Sequence, residues 1–292
     1  MISIVGSQVS RNPTGSPQMA LATLLRSLYD ANPMNVKDRC AVITGSGGPG
    51  CGRAIAQRFA REGALVVVSD RNDDAGRETC YHIERAGGRA AYFHADVRIE
   101  HDVKLLIEFA ERNFGSLSVV VNNASGPEFH PDPLEQWPEV VATDLLGPMY
   151  AIRHAIPAMQ RAGGGAVVNI SSTSALGYGP NSPWPAYDAA KGGILKLTTG
   201  LAWLREKQNI RVNCLVPDWV ASPQVVAYVD SLAPEERGPR GVPERLITPE
   251  EIANGVLRLA TDDSLFGRVM VWWCGQPPRL IPWKDRGYEA LE

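Results

Sequence analysis

Tyr187 and Lys191, in the segment YDAAK, set a phenol and an ammonium four residues apart. On a helix, positions i and i+4 share one face, a turn apart. An opposite charge within about 4–6 Å favours the ionised phenol, so Tyr187 could exchange a proton near neutral pH, whereas a free tyrosine titrates at about pH 10. A lone Y-x-x-x-K occurs by chance on many surface helices. Its meaning rests on what the chain places around it.

The elements that must position this pair can be read from pattern. From Asp38 onward, short β-branched runs alternate with segments of helical period: CAVIT, ALVVVS, AAYFHA, SVVVN, GAVVNI, IRVNCLV and RVMVWW are seven expected strands. Their near-continuous apolar character fits strands buried on both faces of a parallel sheet. Alternation of this kind implies right-handed crossovers, hence an α/β fold: one doubly wound, Rossmann-type parallel sheet with helices on both faces. Ligands of such sheets bind beyond the carboxyl ends of the strands. Residues 34–292 read as one domain, with a strand-poor, lid-like insert at 219–247 and a tail from about 276. Residues 1–33 read as a flexible extension; organelle targeting, or a natural start at Met34, are the alternatives.

Bulk properties exclude several classes. A net charge of −3 gives no reason to expect nucleic acid or an anionic membrane as partner. No apolar run approaches the roughly 18 residues of a spanning helix. The five cysteines lack any C-x-x-C pair and the five histidines any ligand spacing, so no metal site is expected and a reducing, cytoplasmic setting fits.

The first strand runs into TGSGGPGCGRAIA. Glycines there let backbone N–H groups and a helix N-terminus approach a pyrophosphate without an intervening Cβ. Gly45, Ser46, Gly50 and Gly52 are the expected contacts. Asp70 ends the second strand, eighteen residues beyond Gly52, where a carboxylate accepts from ribose hydroxyls and repels a 2′-phosphate. NAD is therefore expected over NADP, although Arg71 could serve a phosphate. Asp96 and Val97 follow the third strand, and Asn122, Asn123 and Ala124 close the fourth, where adenine and its ribose should lie. The asparagines could equally close the strand end through backbone hydrogen bonds.

Together the glycine turn, Asp70, ADV, NNA, NISS, YDAAK, RVNCLVP and TPEEIA, in this order, resemble the short-chain dehydrogenase/reductase family from about Val36 to Gly275. The resemblance implies an NAD(H)-dependent oxidoreductase interconverting a secondary alcohol and a ketone, and a homotetramer or homodimer. It implies Tyr187 as general acid or base, Lys191 as its activator and ribose ligand, and Ser172 as hydrogen-bond donor to the substrate oxygen. Ser171 and Ser174 compete for that last role: Ser172 matches by local pattern and Ser174 by distance to Tyr187, because the loop between is longer than usual. Pro217, Val220 and Ser222 should border the nicotinamide amide, with Asp218 replacing the usual glycine.

Two departures stand out. The glycine turn carries an extra residue and Pro49, which removes a donor. Asp144 stands where the family has an asparagine that holds a water linked to the lysine; its charge should oppose Tyr187 ionisation, slow turnover and raise the pH optimum. A competing expectation follows, in which the chain is a catalytically impaired NAD-binding sensor or assembly subunit. Tyr178, Trp184 and Trp219, on loops expected at the pocket rim, fit a ring-containing alcohol or ketone, or else pack the loops themselves.

Overall fold

The computed structural model describes residues 35–126, 134–177 and 184–282. The expected extension at 1–33, Tyr178 and the end of the tail lie outside them. Seven strands match the seven expected runs: β1 (Cys40–Thr44), β2 (Leu65–Asp70), β3 (Arg89–His94), β4 (Val119–Asn122), β5 (Gly165–Ile170), β6 (Ile210–Pro217) and β7 (Val269–Trp272). All pair in parallel in the order β3-β2-β1-β4-β5-β6-β7. The order reverses between β1 and β4, the point at which such sheets open a crevice for a ligand.

An eighth strand was not expected. β8 (Arg279–Leu280) runs antiparallel to β7, pairing Leu280 with Met270 and Arg279 with Val271. Two residues between Pro278 and Ile281 give no readable alternation, so the sequence presents them as tail. Their effect is to cover the β7 edge, which would otherwise offer unpaired backbone groups.

Alternation along each strand divides the core in two. In β1, Ala41 and Ile43 join Ile55 and Phe59 of α1 (Cys51–Arg61) and Ile252 and Val256 of α10 (Pro249–Thr261). Cys40 and Val42 face the other way, onto Val103 and Leu106 of α3 (Glu100–Phe114) and Ala155 and Met159 of α5 (Gly147–Arg161). The remaining crossover between β2 and β3 is α2 (Asp73–Arg85), which Asn72 caps by accepting from the Ala75 N–H. RVNCLVP proves largely structural: the buried Arg211 guanidinium donates to the Leu259, Ala260 and Asp262 carbonyls, satisfying the C-terminus of α10.

α4 (Trp137–Val141) continues through one π turn, Ala142–Leu146, into α5. Pro148 explains the turn. It has no N–H for the Asp144 carbonyl four residues back, and its ring would crowd that carbonyl. The Gly147 N–H bonds instead to the Ala142 carbonyl, five residues back. α6 (Pro185–Gly200) and α7 (Leu204–Gln208) lead into β6. The insert at 219–247 folds into α8 (Pro223–Ser231) and α9 (Pro234–Arg237). Its two ends are pinned together: the Ile247 N–H donates to the Trp219 carbonyl at 2.9 Å and the Ala221 N–H to Ile247 at 2.8 Å.

Candidate active site

A cavity of about 1000 Å³ lies at the carboxyl ends of the strands, running from the glycine turn to Trp219. At one end, Gly45 takes a left-handed φ of 63°, and a Cβ there would lie 2.7 Å from the Ala124 backbone. A Cβ on Gly52 would lie 2.1 Å from the Gly45 carbonyl oxygen, so the turn closes only with glycine at both positions. The extra residue costs no order. The Gly47 N–H donates to Asp70 Oδ2 at 2.9 Å, and the Gly47 carbonyl accepts from Thr79 Oγ1 at 2.6 Å and Arg53 Nη2 at 2.8 Å.

These features test the fit of a dinucleotide. The N-terminus of α1 has no side-chain cap, and Gly48 and Gly50 have open space where a Cβ would stand. A helix terminus and exposed backbone of this kind suit a pyrophosphate. Asp70 and Arg71 border the same cavity, as do Asp96, Val97, Asn123 and Ala124. Arg71 is 60 % exposed and 4.0 Å from Glu139, which also holds Arg98 at 2.6 Å. Arg98 in turn grips Asp96 and holds its carboxyl below the usual carboxylate value.

Ser46 departs from expectation. It is fully buried beneath the turn, its hydroxyl donates to the Ile43 carbonyl at 2.7 Å, and it does not line the cavity. A hydroxyl spent on the protein backbone cannot contact a cofactor through that bond. Asn123 keeps both readings, bordering the cavity while its amide donates to the Thr44 and Gly45 carbonyls at 3.0 and 2.9 Å, whereas Asn122 is buried away from it. Asn122 donates to Asn169 at 2.8 Å, and Asn169 to Thr198 at 3.0 Å, a buried chain tying β4 and β5 to α6.

At the other end, α6 begins with Pro185 in its first turn and carries Tyr187 and Lys191 on consecutive turns. The Lys191 ammonium lies 5.3 Å from the centre of the Tyr187 ring. It is 4 % exposed and donates to the Ile170 carbonyl at 3.1 Å. Burial alone would push this ammonium down; attraction to Asp144, then to Tyr187, outweighs burial and holds it above the usual lysine value. Cys214 sits nearby, its thiol pushed up to about 12 by burial and therefore neutral.

Asp144 is 1 % exposed and meets Lys191 directly, at 2.9 Å. It also accepts from Ser125 Oγ at 2.6 Å and the Gly126 N–H at 3.1 Å. It does not line the cavity, so it reaches the site through Lys191, Ser125 and Gly126, which do, rather than as a catalytic group. The π turn sets its position.

Of the three serines, Ser171 is committed elsewhere: it is buried and donates to the Lys191 carbonyl at 2.8 Å. All three line the cavity, and Ser172 also caps a 3₁₀ turn (Thr173–Leu176), accepting from the Ser174 N–H. Pro217, Val220 and Ser222 line it too, with Ser222 capping α8. Trp184 and Trp219 border this end, as does Trp273, which sequence reasoning missed. Its signal was available, because Trp273 directly follows a strand. Asp218 has no left-handed backbone, so replacing the family's glycine leaves its turn unstrained.

Among the described residues no group of His, Cys, Asp or Glu could hold a metal ion, and no helix is long and apolar enough to cross a membrane. Residues 48–270 match a family model described as enoyl-(acyl carrier protein) reductase. The chain is 35 % identical over 236 residues to a cis-4-hydroxycyclohexanecarboxylate dehydrogenase of Sinomonas cyclohexanicum, covering 78 % of this chain and 92 % of the relative. It is 34 % identical over 233 residues to a cyclohexanol dehydrogenase of Acinetobacter sp. strain SE19, covering 78 % and 90 %. Among solved structures it resembles a 7α-hydroxysteroid dehydrogenase complexed with NADH and 7-oxo glycochenodeoxycholic acid, at TM-score 0.74 and 28 % identity, covering 83 % of this chain and 96 % of the other.

Proposed function

The chain belongs to the short-chain dehydrogenase/reductase family and is an oxidoreductase acting on alcohol groups, and we propose that it uses NAD(H) to interconvert a cyclic secondary alcohol and its ketone, with Tyr187 as general acid and base. One observation carries this reading: Tyr187 stands one helical turn from a buried Lys191 that Asp144 holds in its charged form, on the wall of the cavity that begins at the glycine turn. The cyclohexanol dehydrogenase and the NADH-bound steroid dehydrogenase support the substrate and cofactor classes.

A bound nicotinamide supplies or accepts the hydride. The chain's own residues do the rest. In alcohol oxidation the Tyr187 phenolate takes the hydroxyl proton, and in ketone reduction the phenol returns it. Lys191 stabilises the phenolate by its charge. Ser172 donates to the substrate oxygen, holding the carbinol carbon in place, since positioning of the reactants accounts for much of such a rate. Asp144 holds Lys191 charged and in place. Asp70 accepts from the adenosine ribose, which favours NAD over NADP. α8 and α9 act as a lid over the substrate. The exposed Met149 and Trp203 fit subunit contacts in a homotetramer or homodimer, and a cytoplasmic setting fits five free cysteines.

Fluorescence titration with NADH and with NADPH tests the cofactor half. Tighter binding of NADH is expected. Equal or tighter binding of NADPH would move selectivity from Asp70 to Arg71, and absence of binding by either would overturn the proposal.

A further inference from the structure

Charge on the cavity wall is almost everywhere matched. Asp96 faces Arg98, Arg71 faces Glu139, and Lys191 faces Asp144. Asp70 serves the glycine turn. At the substrate end one charged side chain remains, Asp218, and among the described residues it has no ion-pair partner.

Asp218 is nevertheless firmly held. Oδ1 accepts from Thr173 Oγ1 at 3.2 Å and Oδ2 from the Cys274 N–H at 3.1 Å. These two bonds tie the end of β6 to the serine turn after β5 and to the backbone after β7. They fix the carboxylate next to the turn that carries Ser172. Both donors are neutral groups, so they orient the charge without cancelling it. The neighbouring Cys274 thiol is pushed up to about 11, by burial first and then by the charge of Asp218.

The surrounding surface is aromatic. Trp184, Trp219 and Trp273 line the same end of the cavity, and the Trp219 ring stacks on Tyr228 of α8 with centroids 6.2 Å apart. Indole faces attract cations through the ring quadrupole. A fixed carboxylate among tryptophans therefore presents a surface that prefers positive charge and repels negative charge.

We propose that Asp218 determines substrate specificity, making this site select ring alcohols and ketones that bear a protonated amine and disfavour those that bear a carboxylate. The inference rests on reading this cavity as the alcohol site. It adds what the rest of the substrate must carry. Thr173 and Cys274 keep the carboxylate from turning away to accommodate an anion.

The test uses ligands that cannot exchange hydride. Cyclohexylammonium and cyclohexanecarboxylate share a ring and differ in the sign of their charge. Their affinities are measured calorimetrically on the full chain with saturating NAD. With the probe's charge about 6–8 Å from Asp218 and partly screened by solvent, the ammonium should bind at least about tenfold more tightly than the carboxylate. Asp218→Asn should bring the ratio to within about threefold, since the shape stays and the charge goes. Trp273→Leu provides a second reading, weakening the ammonium while leaving the carboxylate unchanged. Equal affinities in the wild type, a preference for the carboxylate, binding of neither, or a ratio that survives Asp218→Asn would each overturn the proposal. Turnover of cyclohexanol is scored separately, so loss of the charge preference and loss of the oxidoreductase reading are distinct results.

Discussion

Replacing Asp144 by asparagine removes one buried negative charge while keeping the shape of the side chain. The carboxylate lies 2.9 Å from the Lys191 ammonium, which is itself 5.3 Å from the Tyr187 ring centre. Taking about 6–8 Å between carboxylate and phenol, the repulsion at an effective dielectric of about 20 is worth about 2 kcal/mol. That is somewhat more than one pH unit, and solvent at the half-buried Tyr187 reduces it to about one. Lys191 loses its strongest partner; with the Ile170 carbonyl and Tyr187 left to hold its proton, its help to the phenolate is expected to persist. The Asp144→Asn variant should therefore oxidise cyclohexanol faster at neutral pH, with the rising limb of its kcat/KM profile moved down by about one pH unit. Stability moves the other way. Lys191 is left buried with the Ile170 carbonyl as its remaining acceptor, at a cost of up to about 3 kcal/mol. Because the folded pKa of Lys191 is raised, its contribution is fully present below the unfolded value of about 10.5 and is lost only as pH rises through the folded value. The difference in melting temperature should thus hold throughout neutral and mildly alkaline pH. An unchanged pH profile, or one displaced upward, would refute this account of Asp144.

Two further substitutions probe other parts of the site. Gly52→Ala puts a Cβ against the Gly45 carbonyl, and should weaken NADH binding by at least about tenfold and lower the melting temperature, since neither backbone can yield without opening the turn. Asp96→Asn should lower the melting temperature at pH 7, and by less and less as pH falls through the depressed folded value of the carboxyl. The Asp96 carboxyl is held below its usual value of about 3.8 by Arg98, so its contribution is present above that unfolded value and disappears as pH falls through the depressed one. A cost independent of pH would assign Asp96 a packing role instead.

The parallel sheet was legible because its strands are β-branched runs separated by helical periods, a pattern that burial on both faces imposes. The shared face of Tyr187 and Lys191 was legible for a similar reason, since the i, i+4 spacing fixes it on any helix. Several features escaped. β8 is too short to carry a period. Asp144 was recognised as a departure, but its direct contact with Lys191 depends on a π turn created by Pro148, and a tertiary contact of that kind leaves no local signal. Ser46 was placed with the glycines because it is adjacent in sequence, whereas the turn directs its hydroxyl inward to the Ile43 carbonyl. The role of Asp218 was hidden as well, since both of its hydrogen-bond donors come from other strand ends.

The central claim is that Tyr187 moves the proton while hydride passes between alcohol and NAD. Its most direct test follows the absorbance of reduced nicotinamide as wild type and Tyr187→Phe are given NAD and cyclohexanol, unlabelled or deuterated at the carbinol carbon. The wild type should reduce NAD, and more slowly with the deuterated alcohol. The phenylalanine variant should lose at least about a hundredfold in rate while still binding NADH. Reduction at an undiminished rate by the variant would contradict the account.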